Sequence, residues 1–303
     1  MRAALWTRVR RRVRIRTRLR RWWRQRDSSR AVLPRVFTNS LPKAGTHLLL
    51  RCVTLMPDMV WEDVGLRQGW LGGEYQIESA PGTDTIPVGA GRLAWVRADD
   101  LARVVKRLGP GEVTGGHMPY SASFADLLRR EGIRSLLILR DPRDVVVSLM
   151  YYIRAGPRMR PGAYLAYTLR NDEEGLRVCI EGATNAPGRA FPGIAQRLEA
   201  FLPWRVVPDV YTTRFEKLIG PQGGGGEEAQ AIEIRNIALH LGLSLTSEQV
   251  RKVASGLFGH GLTFRRGQIG SWKDHFQEEH KAAFKRVAGQ HLIELGYERD
   301  LNW

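Results

Sequence analysis

Three short segments carry residue types that could hold anions. In Leu41-Pro42-Lys43-Ala44-Gly45-Thr46 a turn joins an apolar run to a helical pattern. Such a turn aims backbone N–H groups and the positive end of a helix at one point, which is the make-up of an anion site. Gly45 lets the backbone approach closely, Lys43 adds a point charge and Thr46 a hydroxyl. Taken alone, the segment also reads as a plain strand–helix turn. It lacks the GxxxxGK spacing of a nucleotide-kinase loop, because no Lys follows Gly45. In Arg140-Asp141-Pro142-Arg143-Asp144-Val145-Val146-Val147-Ser148, Arg140 leaves the carboxyl end of a strand and Ser148 lies about two turns into the next helix. An Arg and a hydroxyl converging there would clamp a second phosphate. The competing reading is surface ion pairs between Arg140 or Arg143 and the adjacent Asp residues. The third segment runs from Thr263 to Lys273, where Arg265, Arg266, Gly267 and Gly270 interrupt an otherwise apolar loop. It reads as a flap able to lay guanidinium groups and backbone amides on a phosphate.

To bring these segments together, the chain must set each beside a strand or a helix. RVFTNS (35–40) reads as a short buried strand and THLLLRCVTLM (46–56) as a helix stopped by Pro57. SLLILR (135–140) is the clearest strand, and DPRDVVVSLMYYI (141–153) opens with Asp and Pro, a helix-start signal. GEVTGGH (112–117) is a weaker strand, flanked by helical patterns at 99–108 and 121–132. Residues 206–216 contain a strand interrupted early by Pro208. PQGGGGEEAQ (221–230) is a glycine-rich turn leading into a helix that ends near Gly242. Further helices are expected at 247–256 and from about 277 to 295. Residues 60–97 hold seven Gly and three Trp without a clear period, and read as a long loop or cap. Alternating strands and helices predict an α/β fold with a central parallel β-sheet flanked by helices.

The formal charge of +16 is unevenly placed. Residues 1–30 hold 13 Arg and one acidic residue, Asp27, whereas the remaining 273 residues carry 34 basic and 30 acidic groups. Residues 1–30 are therefore an Arg-rich tail, and 31–303 one domain of ordinary, mildly basic composition. No specific nucleic-acid partner is expected from the charge of the whole. The tail, with Trp6, Trp22 and Trp23 among its arginines, suits contact with an anionic membrane surface. A disordered tail, or an over-long start of the reading frame, is the plainer reading. Two cysteines, Cys52 and Cys179, make no disulfide framework and no zinc cluster. No apolar run is long enough to span a membrane, and no secretory leader is evident, so a cytoplasmic protein, or one peripheral to a membrane, is expected.

In order along the chain, the three segments resemble the motifs of sulfotransferases that use 3'-phosphoadenylyl sulfate (PAPS), a family related in fold to P-loop nucleotide kinases. There a PKxGT loop binds the 5'-phosphosulfate, an RxPxDxxxS segment binds the 3'-phosphate, and a late RKGxxGxWK loop closes over the nucleotide. Arg214-Phe215-Glu216-Lys217-Leu218 is similar to the family's YEDL stretch. The likeness covers roughly residues 35–303 and, in its KxGTHLL, GGH and GPxGGG segments, is nearest to bacterial members. It implies a P-loop-kinase-like sulfotransferase fold. It assigns Lys43, Ala44, Gly45, Thr46 and His47 to the 5'-phosphosulfate, and Arg140, Ser148, Arg265, Arg266 and Gly267 to the 3'-phosphate. His117, in Gly115-Gly116-His117-Met118-Pro119, matches the family's catalytic histidine.

The implied reaction moves a sulfuryl group from PAPS to a hydroxyl or amine on a small-molecule, carbohydrate or lipid acceptor. His117 would take the acceptor proton and Lys43 would stabilise charge on the leaving phosphate, with no metal required. The sequence departs from the family at Leu48, where an aromatic often stacks on adenine, at Gly115, where a Lys is frequent, and at Phe215, where Tyr is usual. Two other readings are a P-loop-type nucleotide-dependent kinase, and a basic-tail membrane or nucleic-acid binder with an inactive sulfotransferase-like body. The first needs the missing loop and magnesium; the second would put most of the binding in residues 1–30.

Overall fold

A strand that is apolar on both faces has to be covered twice, and Ile133–Leu139 (IRSLLIL) is such a strand. In the computed structural model of the protein it lies inside a five-stranded sheet. The structure describes residues 32–64, 76–77, 84–89, 94–155, 171–185, 189–261 and 264–303. In chain order the elements begin with β1 (Arg35–Ser40), α1 (Thr46–Thr54), β2 (Val60–Trp61), β3 (Gln76–Ile77), β4 (Thr85–Val88), β5 (Ala94–Arg97) and α2 (Ala98–Val105). There follow β6 (Glu112–Gly116), α3 (Ala122–Arg130), β7 (Ile133–Leu139), α4 (Pro142–Arg154), α5 (Asp172–Glu181), β8 (Gly182–Asn185), β9 (Arg189–Pro192) and α6 (Ile194–Phe201). The chain ends with β10 (Val210–Arg214), α7 (Phe215–Leu218), α8 (Glu227–His240), α9 (Ser247–Ser255) and α10 (Glu278–Glu294).

The sheet order is β10–β7–β1–β6–β2, and every neighbouring pair is parallel. Successive side chains of a strand point to opposite faces, so the sheet feeds two cores. Phe37, Leu137 and Leu139 pack on one side with Leu101, Phe124, Val146, Leu176, Leu198 and Phe284. Val36, Leu136 and Ile138 pack on the other with Leu49, Ile234 and Val253. The expected α/β architecture with a helix-flanked parallel sheet is therefore the one observed. Among the described residues, no helix is long and apolar enough to cross a membrane.

Local signals set several of the boundaries. Asp141 caps α4 by accepting the Arg143 N–H at 2.9 Å, and Pro142 fills the first turn. Ser121 caps α3, and Thr246 with Gln249 forms a capping box on α9. β10 starts two residues after Pro208, which offers no N–H to a ladder. The reading of 60–97 as a loop needs correcting. Besides β2 on the main sheet, the described residues there form a small antiparallel sheet in the order β3–β5–β4, whose short strands leave no stretch long enough for a period. Elements also stand where none is expected above: α5, the β8–β9 hairpin and α6.

Leu136 sits at 0% exposure between the sheet and α8 and α9 in the second core. Leu136→Ala is expected to cost about 2–5 kcal/mol, as large-to-small changes in tight cores do. Urea denaturation measures it, and a loss below about 1 kcal/mol would mean that this core collapses around the gap.

Candidate functional site

Between the end of β1 at Ser40 and the start of α1 at Thr46 the chain turns through five residues. The Ala44 N–H donates to the Leu41 carbonyl at 3.1 Å, Pro42 takes the second position and Lys43 has φ +73°. These are the marks of a type II turn, whose third position normally goes to Gly or Asn. Holding Lys in the left-handed region costs roughly 1–2 kcal/mol. Gly45 follows at φ +113°, where an added Cβ would come within 3.0 Å of both Ile138 and Phe215. Left-handed residues on either side of Ala44 turn successive N–H groups to one side and make a concave anion nest. Helix α1 opens on that nest, with Gly45 as its N-cap and no side chain there to satisfy the first-turn amides. The Thr46 hydroxyl lies 2.5 Å from that of Ser40.

The Lys43 ammonium rests 4.4 Å above the ring of Tyr152. Burial, with the charges of Arg140 and Arg265 added, brings its pKa down to about 8. Arg140 leaves the end of β7 with its side chain 8% exposed. It donates to the Gln268 carbonyl at 2.9 Å and to that of Lys43 at 3.5 Å, and stacks 4.2 Å above the Phe215 ring. Its Nε–H is buried and finds no acceptor among the described residues. The carboxylate that answers Arg140 is Asp144, 3.5 Å away and fully buried. Asp144 also accepts the N–H groups of Gly270 and Trp272, each at 2.9 Å, so one side chain ties Arg140 to the flap. Burial pushes the Asp144 carboxyl above its ordinary range, against the pull of Arg140.

Arg265, on the flap, lies 4.0 Å over Tyr151, and burial lowers its pKa, with Arg266 and Arg140 pushing the same way. Asp144, Ser148, Tyr151 and Tyr152 are spaced to share one face of α4. That face therefore offers an anchor for the flap, a hydroxyl and two aromatic platforms. Three cations, Lys43, Arg140 and Arg265, act on one another there; among the described residues the carboxylate that pairs with Arg140 is Asp144, and an anion would relieve the remaining repulsion.

His117 follows β6, the strand next to β1. Its Nδ1 lies 2.8 Å from the Ser40 carbonyl oxygen, which can only accept, so Nδ1 carries the hydrogen and the lone pair of the neutral ring is on Nε2. The neighbouring residue is clasped in turn. Asn39 accepts the Met118 N–H at 2.9 Å and donates to the Met118 carbonyl at 2.8 Å, and Trp204 Nε1–H donates to that same carbonyl. Lys43, His117 and Arg140 thus leave the carboxyl ends of three adjacent strands, β1, β6 and β7, where open α/β sheets bind ligands.

Solved structures that share this architecture include the following two. Mouse sulfotransferase SULT7A1, crystallised with PAP, aligns with a TM-score of 0.58 over 88% of this chain and 87% of its own, at 16% identity. Retinol dehydratase, in complex with androsterone and the inactive cofactor PAP, aligns with a TM-score of 0.50 over 86% of this chain and 82% of its own, also at 16% identity. No protein-family model and no curated protein matches the sequence. The chain has the sulfotransferase fold.

Most of the sequence-derived residues meet in the sulfotransferase-fold crevice. Lys43, Ala44, Gly45, Thr46 and His47 form the nest and the start of α1; Arg140, Ser148 and Arg265 surround the face of α4. Arg266 is exposed beside Arg265, and Gly267 has φ +63°. The expected ion pairs of the Asp-Pro-Arg-Asp segment do exist, but they are buried. Arg143 pairs with Asp141 at 2.8 Å and Glu298 at 2.5 Å, and its guanidinium lies against the rings of both Trp272 and Trp303. Arg143 is therefore structural, and Arg140 alone of the two faces the nest.

Each departure from the family pattern has a physical place. Phe215 carries the Arg140 guanidinium, Leu48 is buried in the second core, and a Cβ at Gly115 would meet Thr38 Oγ1 at 2.7 Å. Tyr151, Tyr152, Asn39 and Gln268 are site residues that the sequence reading passed over. The two tyrosines were accessible to it as the positions three and four after Ser148. Trp70, Tyr75, Arg92 and Thr263, and the tail of residues 1–30, lie outside the described residues.

Lys43→Gly removes both a left-handed non-glycine and a buried charge. The variant is expected to melt at a higher temperature than the unliganded wild type while binding sulfate about tenfold more weakly, the size of one charged hydrogen bond. The pH dependence follows from the sign of the Lys43 shift. Its folded value of about 8 lies below that of an unfolded lysine, about 10.4. The unfolded chain therefore holds the extra proton between those values, and this residue's contribution to stability improves as pH rises through the window. Urea titrations at pH 7.5 and 9.5 should show that gain in the wild type and its absence in Lys43→Gly.

Proposed function

We propose that the protein is a PAPS-dependent sulfotransferase, which passes a sulfuryl group to a hydroxyl or amine acceptor. The observation that carries the reading is Arg140, a buried guanidinium whose Nε–H lacks an acceptor among the described residues and whose neighbours are Lys43 and Arg265. An orphaned cationic donor in a crevice of like charge fits a phosphate group. The nest at residues 43–47 fits a second anion, so the chain suits a ligand with charged groups at two ends, as PAPS has. Lys43, Ala44, Gly45, Thr46 and His47 would hold its 5'-phosphosulfate. Arg140, Ser148, Arg265, Arg266 and Gly267 would hold its 3'-phosphate. PAP in both structural neighbours supports the same ligand class.

When bound, the donor supplies the sulfuryl group: a bond forms from sulfur to the acceptor atom while the bond from sulfur to the bridging oxygen breaks. The chain's own residues do the rest. His117 Nε2 takes the acceptor's proton, with Nδ1–H held on the Ser40 carbonyl so that the lone pair keeps its direction. Lys43 sets its positive charge against the negative charge growing on the bridging oxygen, and Tyr152 keeps the ammonium in place from below. The androsterone held by retinol dehydratase supports a small-molecule acceptor as the first class to try. Trp61, 44% exposed on β2, and Trp95 on β5 offer apolar surface on the side expected to admit it.

Transfer of label from PAPS to a panel of alcohols, phenols, sugars and amines tests the proposal. His117→Ala is expected to lower turnover by about 10²–10⁴-fold, with PAP affinity unchanged. Full activity in that variant would remove His117 from its role. Arg140→Ala is expected to weaken PAP binding at least about thirtyfold in calorimetry, the cost of losing a buried partner to a phosphate. Unchanged affinity would undo the 3'-phosphate assignment.

A further inference from the structure

The glycine-rich turn Gly220–Gly225 has no part in the chemistry described so far. It precedes a helix, yet it is a poor anion site, because α8 opens with Glu227 and Glu228 in its first turn. Its contacts point elsewhere. The Gly223 carbonyl accepts the Ile269 N–H at 2.9 Å, and the Gln222 carbonyl accepts Gln268 Nε2–H at 2.9 Å. Gln268 therefore bridges two loops, because its side-chain amide also lies 3.3 Å from the Arg266 carbonyl, and its own carbonyl receives Arg140 at 2.9 Å. A Cβ at Gly223 would stand 2.6 Å from the Gly267 carbonyl and 2.3 Å from Ile219. At Gly225 a Cβ would stand 2.9 Å from the carbonyl of Glu216, whose side chain accepts the Asp141 N–H beside Arg140. At Gly223 the flap lies directly on the backbone of the turn, while Gly220 and Gly225 are closed in by Gln230 and by the Glu216 carbonyl.

We infer that the turn Gly220–Gly225 is the cradle on which the arginine flap docks, with Gln268 as the positioning residue that joins the cradle to Arg266 and Arg140. The cradle fixes where the flap's guanidinium groups sit, and so how long an anion held by them stays. This rests on the reading of the crevice as a PAPS site. It adds to that reading that the length of stay of the nucleotide is set by a turn that contributes no charge. Two tethers hold the flap: the Asp144 carboxylate at Gly270 and Trp272, and the cradle at Gln268 and Ile269.

Stopped-flow measurement of PAP release from the full chain tests the inference. Gln268→Met keeps the length of the side chain and removes its donors. It is expected to speed PAP release about tenfold while leaving association and the melting temperature of the unliganded protein unchanged. Gly223→Ala should do the same or more, because its methyl group would meet both the Ile219 side chain and the Gly267 carbonyl of the flap. Gly226→Ala is the control: its φ is −90° and the nearest atom to an added Cβ is 3.6 Å away, so release should match the wild type. Wild-type release in Gln268→Met would overturn the inference and leave the PAPS reading standing. If the wild type itself fails to bind PAP, the PAPS reading falls first. Hydrogen exchange at the Ile269 amide, which donates to the Gly223 carbonyl, then decides docking alone: faster exchange in Gly223→Ala supports the cradle, and unchanged exchange refutes it.

Discussion

Every part of the crevice depends on keeping three positive charges close together. Lys43, Arg140 and Arg265 each depress the ionisation of another or are depressed by it, and the ion pair that offsets this is the fully buried Arg140–Asp144 contact. A buried pair of this kind is weak evidence for stability, since desolvation consumes much of its attraction. Its place explains it better. Asp144 neutralises one cation at the base of the crevice and spends its remaining lone pairs on the flap amides of Gly270 and Trp272. The described residues therefore leave an excess of positive charge in the crevice, which suits the anionic donor proposed for it.

Aromatic rings carry all three cations, including the one that Asp144 pairs with. Lys43 sits over Tyr152, Arg265 over Tyr151 and Arg140 over Phe215, at 4.0–4.4 Å. A ring face attracts a cation without adding a negative charge that would compete with an anionic ligand. Carboxylates at those positions would hold the side chains more firmly and cancel the field the crevice needs. The exchange of Tyr for Phe at 215, which looked like a lost hydroxyl in the sequence, therefore keeps the ring face on which Arg140 rests. Behind these rings the supports continue: the Tyr151 hydroxyl donates to Asp172 at 3.0 Å and meets His275 at 3.2 Å.

What the sequence revealed and what it hid divide along a physical line. The parallel sheet, and the positions of the three segments beside its strands and helices, were readable because strands, helix caps and turn residues are local: Asp141-Pro142 is a helix-start signal, and Ile133–Leu139 places apolar residues on both faces. The small sheet of β3, β4 and β5 was not, because strands of two to four residues are too short to display a period. The separation of Arg140 from Arg143 was also hidden. Both flank the same two Asp residues, and only the packing of Trp272 and Trp303 around Arg143 shows which guanidinium is sequestered. The links through Asn39 and Gln268 join residues 79 and 46 positions apart, which no local pattern can report.

The strain at Lys43 joins these observations. Gly at the third position of this type II turn would relieve the left-handed backbone, and a neutral side chain would relieve the repulsion from Arg140 and Arg265. The chain accepts both costs at one residue because the turn alone places an ammonium beside the nest, one strand away from His117. A base held by the Ser40 carbonyl and a cation held three residues further on descend from the same end of β1. Any shift of that strand end moves the His117 ring and the Lys43 backbone together, while contacts to the Ser40 carbonyl and the Tyr152 ring hold their side chains. Strain of this kind persists only where the surrounding structure over-determines it. Here the Asn39 clasp on Met118 and the close packing of Gly45 against Ile138 and Phe215 supply that determination.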